Sequence, residues 1–97
     1  MTEAKLQTKV LNYLKDDLGC WAMKVKPGGG VPTATADIFF CKGKFYGWIE
    51  VKRSAKAKIR LGQKPFIDKM NDWSWAKFVY PENWEVVKSE LDSLLKN

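Results

Sequence analysis

Three charged residues between positions 36 and 53 have the types and the spacing that metal-assisted chemistry needs. Asp37 stands at the start of one predicted strand, and Glu50 and Lys52 stand two residues apart at the end of the next. Because side chains alternate along a strand, Glu50 and Lys52 share a face. Carboxylate oxygens hold Mg²⁺ or Mn²⁺, and a neighbouring lysine can orient or deprotonate a metal-bound water. The pattern therefore indicates metal-assisted attack on a phosphate group.

The turn between these strands decides whether the carboxylates meet. A two-residue turn at Gly43-Lys44, with glycine first as in type II′, pairs Lys42 with Phe45 and places Asp37 opposite Glu50. Directly opposed carboxylates destabilise a sheet, and a bridging divalent cation would compensate. A slip of one residue would put them on different faces. The other face of the hairpin is predicted to be buried, through Ile38, Phe40, Phe45, Ile49 and Val51.

The composition excludes several other chemistries. The chain has no histidine, so no mechanism can use imidazole as a base or a ligand. Its two cysteines, Cys20 and Cys41, are too few for a disulfide-stapled scaffold or a zinc site, and we expect both to be reduced and structural. Carboxylates, lysine, hydroxyls and metal-bound water remain.

A basic stretch follows the second strand. Residues 51–67 contain no acidic residue, and their six cations equal the net charge of +6. Such a stretch favours a polyanion such as nucleic acid, although a solvated lysine-rich segment remains an alternative. The glycine-rich loop at 26–33 would bring backbone close to DNA, or simply connect two elements. The predicted DNA-binding residues are Lys26, Gly28, Gly29, Gly30, Arg53, Lys56, Lys58, Arg60 and Lys64.

The hydrophobic pattern predicts one α/β domain over the 97 residues, with the element order α-β-β-β-α-β-α. A first helix at 2–18 has Thr2 as N-cap and Gly19 as its stop. A strand at 21–26, the hairpin, a helix at 60–73, a strand at 75–80 and a helix after Pro81 follow. The tryptophans expected in the core are Trp73, Trp75 and Trp84, while Trp48 falls between core and substrate contact. With no apolar run long enough for a membrane helix and no signal peptide, we expect a soluble intracellular protein.

These features resemble the PD-(D/E)XK nuclease superfamily and, within it, the virus-type replication-repair nuclease (VRR-NUC) domain. The matching residues are Glu3, Gln7, the loop Gly28-Gly29-Gly30-Val31-Pro32, Asp37, the triplet Glu50-Val51-Lys52, and Gln63. The chain departs from the family pattern at two positions: Ala36 replaces a common proline, and Arg60 replaces a common serine or threonine.

The resemblance implies a restriction-endonuclease-like core, a mixed sheet flanked by helices. It makes Asp37, Glu50 and the backbone carbonyl of Val51 the metal ligands, and it makes Lys52 the residue that serves the attacking water. Glu3 would hold a metal-bound water or a second ion, and Gln63 would support the site.

The function implied is that of a Mg²⁺- or Mn²⁺-dependent DNA endonuclease that cleaves branched DNA such as four-way (Holliday) junctions as a homodimer. A phage or mobile-element origin, by analogy, would place it in the host cytoplasm. Two alternatives stay open: a sequence-specific restriction-type endonuclease, and a nucleic-acid-binding module without catalysis.

Overall fold

The computed structural model describes residues 1–26 and 34–96, which form an α/β structure with a four-stranded mixed sheet. The strand order is β1-β2-β3-β4, with β1, β2 and β3 antiparallel and β4 parallel to β3. The elements are α1 (Glu3–Asn12), a π-helical segment (Tyr13–Asp17), β1 (Trp21–Lys24), β2 (Ile38–Lys42), β3 (Phe45–Val51), α2 (Gln63–Trp73), β4 (Ala76–Val79) and α3 (Trp84–Leu95). None of the helices in the described ranges is both long and apolar enough to cross a membrane.

The element order differs from the predicted one by the π-helical segment. The side chain of Thr2 accepts a hydrogen bond from the backbone N–H of Lys5 at 3.1 Å, so the predicted N-cap is confirmed. Beyond Asn12 the helix widens, and the N–H of Leu18 donates to the carbonyl of Tyr13 five residues earlier. A periodicity of 3.6 residues cannot reveal such a widening, because the buried stripe continues through it as Leu6, Val10, Leu14 and Leu18.

The predicted hairpin register is confirmed. Lys42 opposes Phe45, and the ladder runs to the pair Ile38 and Ile49. Gly43 has a φ of +61°, and no non-glycine residue in the described ranges has a positive φ, which is the type II′ pattern. If this register is continued by one position beyond the pair Ile38 and Ile49, Asp37 lies opposite Glu50.

Helices cover the two faces of the sheet unequally. On the first face, α1, the π-helical segment and α3 pack over the larger hydrophobic cluster, which includes Ile38, Phe40, Ile49 and Val51. On the second face, α2 contacts β3 and β4 and forms a smaller cluster. Its residues are Ala36, Ile67 and Ala76, with Trp48, Phe66, Met70 and Phe78 packed against them.

The rest of the second face has an aromatic surface. The register pairs Trp21 with Cys41 and Cys41 with Tyr46, and it pairs Met23 with Phe39, so these side chains share one face. Trp21 and Met23 are exposed, and the ring of Phe39 lies 6.4 Å from the rings of both Trp21 and Tyr46. We call these five residues the open sheet face.

The predicted start of α2 was wrong. The helix begins at Gln63 rather than at residue 60, because Gly62 adopts the left-handed conformation, and Leu61 is fully exposed. Trp73 was predicted to be in the core and is exposed instead. It is the last residue of α2, and the ammonium of Lys69 lies over its ring.

The C-terminal half otherwise follows the predicted pattern. Trp75 and Trp84 are buried as predicted, and Leu95 rather than Leu94 completes the buried face of α3. The ammonium of Lys42 donates to the carbonyl of Leu95 at 2.9 Å, which satisfies a free carbonyl at the end of that helix.

Both cysteines are free thiols, as predicted. Burial raises the pKa of the Cys20 thiol, the neighbouring Cys41 adds to the rise, and the ammonium of Lys42 opposes it. A thiol with a raised pKa is a poor nucleophile, so Cys20 fits a packing role.

Candidate active site

The buried polar residues of the described ranges are three, and all belong to the predicted site. Glu50, Lys52 and Gln63 have exposed fractions of 4%, 8% and 1%. Burying such groups is costly unless they are paired with one another, so their position requires a compensating network. The sequence predicted the alignment of Glu50 and Lys52 on one face, and the structure shows this pair buried rather than solvated.

Lys52 is the centre of this network. Its ammonium nitrogen lies 3.4 Å from Oε2 of Glu50, donates to Oε1 of Gln63 at 2.9 Å, and donates to the carbonyl of Lys58 at 3.3 Å. Glu50 and Lys52 come from the end of β3, and Gln63 is the first residue of α2. Two hydrogen bonds and one ion pair therefore hold the ammonium of Lys52 in place.

Gln63 also connects the network to the basic stretch. Its Oε1 accepts a second hydrogen bond, from the backbone N–H of Arg60 at 3.2 Å. This contact uses the backbone of Arg60, so it does not depend on which side chain stands there. The other amide atom, Nε2, is buried without a hydrogen-bond partner in the described ranges.

Asp37 lies next to the end of β3. Its Oδ2 accepts a hydrogen bond from the N–H of Val51 at 2.9 Å. In a strand, the N–H and the carbonyl of one residue point to the same side, so the carbonyl of Val51 is also directed toward Asp37. Two side-chain carboxylates and one backbone carbonyl are thus brought to the same end of β2 and β3.

The charge of Glu50 is held at a cost. Burial raises the pKa of its carboxyl group, and repulsion from Asp37 raises it further. The amide of Gln63, the ammonium of Lys52 and the guanidinium of Arg60 act in the opposite direction. Oε1 of Glu50 is buried with no hydrogen-bond partner in the described part of the chain. A second positive group beside this oxygen would relieve both conditions.

A cavity of about 330 Å³ opens at this point, and we call it the carboxylate cavity. Its lining includes the predicted residues Glu3, Asp37, Glu50, Lys52 and Arg60. Sequence reasoning missed three further lining residues, Val25, Thr35 and Ala36. Thr35 could have been found from its place two residues before Asp37, since alternate residues of an extended chain share a side.

The donor atoms fit a hard divalent cation. Mg²⁺ is typically held by one or two carboxylates and keeps several waters, and Asp37, Glu50 and the Val51 carbonyl offer such a set. Residues 1–26 and 34–96 contain no group of three or more acidic, cysteine or histidine side chains that could hold a metal. Glu3 lines the same cavity from the exposed first turn of α1, but it does not complete a three-carboxylate cluster.

The predicted DNA-binding residues have different surroundings. Gly28, Gly29 and Gly30 lie outside the described residues, and Lys26 is exposed beside that gap. Lys64 forms an exposed ion pair of 2.8 Å with Asp68, which leaves it less free for a phosphate. The remaining predicted cations, Arg53, Lys56, Lys58 and Arg60, are exposed, and of these four only Arg60 lines the carboxylate cavity.

Comparison with known proteins adds no identification: no protein-family model, no curated protein and no solved structure matches the chain.

Proposed function

We propose that this chain is a divalent-metal-dependent DNA endonuclease of the PD-(D/E)XK type, related to VRR-NUC domains and built on a restriction-endonuclease-like core. The observation that carries the proposal is the buried Glu50–Lys52–Gln63 network beside Asp37, opening into a cavity. Burying two charged side chains is costly in so small a protein, and a site that binds a cation and a phosphate gives a functional reason for that cost.

Asp37, Glu50 and the Val51 carbonyl are the proposed ligands of Mg²⁺ or Mn²⁺. Such an ion, when bound, supplies Lewis-acid polarisation of the phosphate and a lower pKa for the attacking water. Glu3 also lines the cavity and could accept a hydrogen bond from a water in it.

Lys52 has the most direct role in the proposed reaction. Water adds to phosphorus and loses a proton to solvent, the bond between phosphorus and the leaving oxygen breaks, and that oxygen takes up a proton from solvent; the charge on the phosphate oxygens grows in between. Gln63 accepts a hydrogen bond of 2.9 Å from the lysine ammonium, while the contact of the ammonium with Glu50 is longer, at 3.4 Å. The ammonium can exchange this longer contact for one with water or phosphate. It then orients the water or stabilises the developing charge.

The exposed cations of the 53–62 segment would hold the flanking DNA backbone. Arg60 lines the cavity itself, while Arg53, Lys56 and Lys58 extend the positive charge away from it. Contacts of this kind are not specific for sequence and weaken as salt is added.

We further propose that the enzyme acts as a homodimer on branched DNA. A two-fold dimer presents two sites to the two symmetric strands of a junction. The open sheet face supports self-association, because it carries exposed apolar side chains and no charged one among its five residues. DNA would bind to the positive surfaces of this protein of net charge +6, and the open sheet face carries no such charge. An apolar, uncharged face suits a second copy of the protein better than it suits DNA.

The first test is cleavage of a labelled four-way DNA junction and of linear duplex, each in Mg²⁺, in Mn²⁺ and in EDTA. The wild type is compared with Lys52→Ala and with the matched control Lys15→Ala, an exposed lysine at the far end of the first helical segment. We expect metal-dependent cutting of the junction by the wild type and the control, and none by Lys52→Ala.

Other results would change the assignment. Selective cutting of linear duplex at one sequence would favour a restriction-type endonuclease. Metal-independent binding without cutting of any DNA would leave a nucleic-acid-binding module as the better assignment.

A further inference from the structure

A second cavity lies on the other side of Lys52. It has a volume of about 320 Å³ and shares only this lysine with the carboxylate cavity. Its walls come from β4 and from the segment that follows β3. Besides Lys52 they comprise Phe78, Tyr80, Ile59, Ala55, Ala57 and Ser54. We call it the aromatic pocket.

The sheet register places the aromatic walls next to the proposed catalytic residues. Glu50 on β3 is paired with Phe78 on β4, so both side chains lie on the face that carries the site. The N–H of Lys52 donates to the carbonyl of Val79 at 2.8 Å, which continues this register to Tyr80. The aromatic pocket is therefore one strand away from the proposed metal ligands.

The chemistry of the pocket suits a flat, partly polar ring. Two half-buried aromatic side chains and the exposed side chain of Ile59 provide apolar surface at its wall and rim. Ser54 Oγ accepts a hydrogen bond from the N–H of Lys56 at 3.3 Å, and among residues 1–26 and 34–96 no hydrogen bond donated by this hydroxyl is found, so it can donate to a ligand. Small side chains at Ala55 and Ala57 leave the space open, and its volume is within the range of ligand pockets, about 300–1,000 Å³.

The shared wall indicates what the ring is attached to. Lys52 lines both the aromatic pocket and the carboxylate cavity, while the exposed Arg53 and Lys58 are next to lining residues in sequence and Glu82 accepts a hydrogen bond from the N–H of Ala55. A ligand that fills the aromatic pocket while one of its phosphates lies in the carboxylate cavity must carry a ring and a phosphate on one chain. A nucleotide strand has this arrangement.

We infer that the aromatic pocket receives an unstacked nucleobase adjacent to the phosphate that is cleaved, with the base against Phe78 and Tyr80. This inference rests on the proposed nuclease function and extends it. A paired base inside a duplex cannot enter such a pocket without the cost of unstacking, whereas a base at a branch point, bulge or flap is already unstacked or nearly so. The pocket therefore selects DNA that has an unpaired base beside the cut.

The test removes either the base or the aromatic wall. Junction and bulge substrates carry an abasic analogue at each position flanking the cut, one at a time, and are compared with intact substrates. Stacking of one base on aromatic side chains contributes roughly 1–3 kcal/mol. One abasic position should therefore lower kcat/KM by roughly five- to 150-fold, while the others have little effect.

Variants test the same contact from the protein side. Tyr80→Leu removes stacking, and Ala57→Leu fills the pocket without removing any wall; both should make kcat/KM insensitive to the abasic substitution. Trp73→Leu is the matched control, because Trp73 is an exposed aromatic residue outside both cavities. Circular dichroism and thermal melting establish that each variant is folded. If Tyr80→Leu fails to fold, Ala57→Leu decides.

A second readout separates this inference from the nuclease function. Binding of a junction with 2-aminopurine at the critical position, in Ca²⁺ or EDTA, should change its fluorescence, and Ala57→Leu should abolish the change. Normal cleavage with no effect of any abasic position or of either pocket variant would overturn the inference and leave the nuclease function standing. If no DNA is cleaved, a fluorescence change that Ala57→Leu abolishes still supports binding of a base in the aromatic pocket. A fluorescence change that persists in Ala57→Leu overturns the inference.

Discussion

The ammonium nitrogen of Lys52 lies 3.4 Å from Oε2 of Glu50, two residues earlier on β3, and the two side chains are only 11% and 5% exposed. Removing Lys52 would leave the Glu50 carboxylate buried without its cationic partner, which destabilises a protein more than the intact pair stabilises it. Loss of activity in a site variant therefore has to be compared with its free energy of unfolding. Substitutions at Glu50 and Asp37 are expected to impair the site without lowering stability, so they separate the two effects.

Glu50→Gln is expected to increase the stability of the metal-free protein at pH 7 while it abolishes cleavage. Because burial and repulsion from Asp37 raise the pKa of Glu50 even with Lys52 beside it, folding is less favourable with the charged carboxylate than with the neutral side chain. Glutamine supplies that neutral form at every pH. Urea unfolding in EDTA at pH 7 measures the gain, and Glu90→Gln, an exposed residue of α3, is the matched control.

The sign of the pH dependence follows from the same raised pKa. The folded protein binds a proton at Glu50 more tightly than the unfolded chain does, so this group stabilises the fold fully below its unfolded pKa of about 4.5. That contribution is lost as the pH rises through the higher folded pKa. The stability advantage of Glu50→Gln should therefore shrink between pH 7 and pH 5. A constant difference across this range would contradict the assignment.

Asp37→Asn is expected to weaken binding of Mn²⁺ with little change in stability. The amide oxygen can still accept the hydrogen bond from the N–H of Val51, now 2.9 Å from Oδ2, but one of two charged ligands is lost. We expect the dissociation constant to rise by more than about tenfold, which corresponds to ~1.4 kcal/mol. Isothermal titration calorimetry measures it, with Asp72→Asn, an exposed residue of α2, as control. Equal affinity in the two variants would remove Asp37 from the ligand set.

Gln63 is expected to act as a positioning residue. Gln63→Leu keeps the volume but leaves the Lys52 ammonium without its 2.9 Å acceptor, at a cost of about 1–3 kcal/mol in stability. It should lower kcat while KM for the junction and the metal concentration for half-maximal activity stay unchanged. Gln63→Glu restores an acceptor for Lys52 and should recover stability in part. A change confined to KM would instead place Gln63 in DNA binding.

The hairpin could be predicted because its determinants are local. A glycine at the first turn position fixes the register, and that register brings Asp37 to the end of β3 near Glu50. The alternation of side chains also identified the buried face correctly. What it could not give is the burial of Glu50 and Lys52 themselves, because that depends on α2 lying over β3, a contact between distant parts of the chain.

The burial of Gln63 could not be predicted from the local sequence either. Its residue type predicts a surface position, and only the resemblance to a nuclease family selected it. In the structure Gly62, with a φ of +87°, is the N-cap of α2, so Gln63 is the first helical residue. Its side chain there accepts a hydrogen bond from the N–H of Arg60 in the basic stretch. The aromatic walls at Phe78 and Tyr80 were missed for a related reason, since the parallel pairing of β3 with β4 cannot be deduced from either strand alone.

Gly47 provides a test of packing that is independent of function. A Cβ atom built on Gly47 would lie 2.5 Å from Cζ of Phe40 and 3.1 Å from Cε3 of Trp75, both buried. Gly47→Ala should therefore destabilise the protein by about 1–3 kcal/mol, as overpacking of a core does. Urea unfolding measures this, and Phe40→Leu in the Gly47→Ala background should recover part of the loss. Full additivity of the two changes would show that the rings of Phe40 and the new methyl group do not compete for space.

The proposed homodimer gives the last prediction. Trp21→Lys places a charge on the open sheet face, where 60% of the tryptophan is exposed and its ring lies 6.4 Å from that of Phe39. In a two-fold dimer the same surface of both subunits forms the interface, so one substitution buries two new lysine charges in it. Multi-angle light scattering at micromolar concentration should show a dimer for the wild type and a monomer for Trp21→Lys. Val86→Lys, on α3 at the opposite side of the sheet, should remain a dimer. A monomeric wild type would contradict the dimer, and a dimeric Trp21→Lys would place the interface elsewhere.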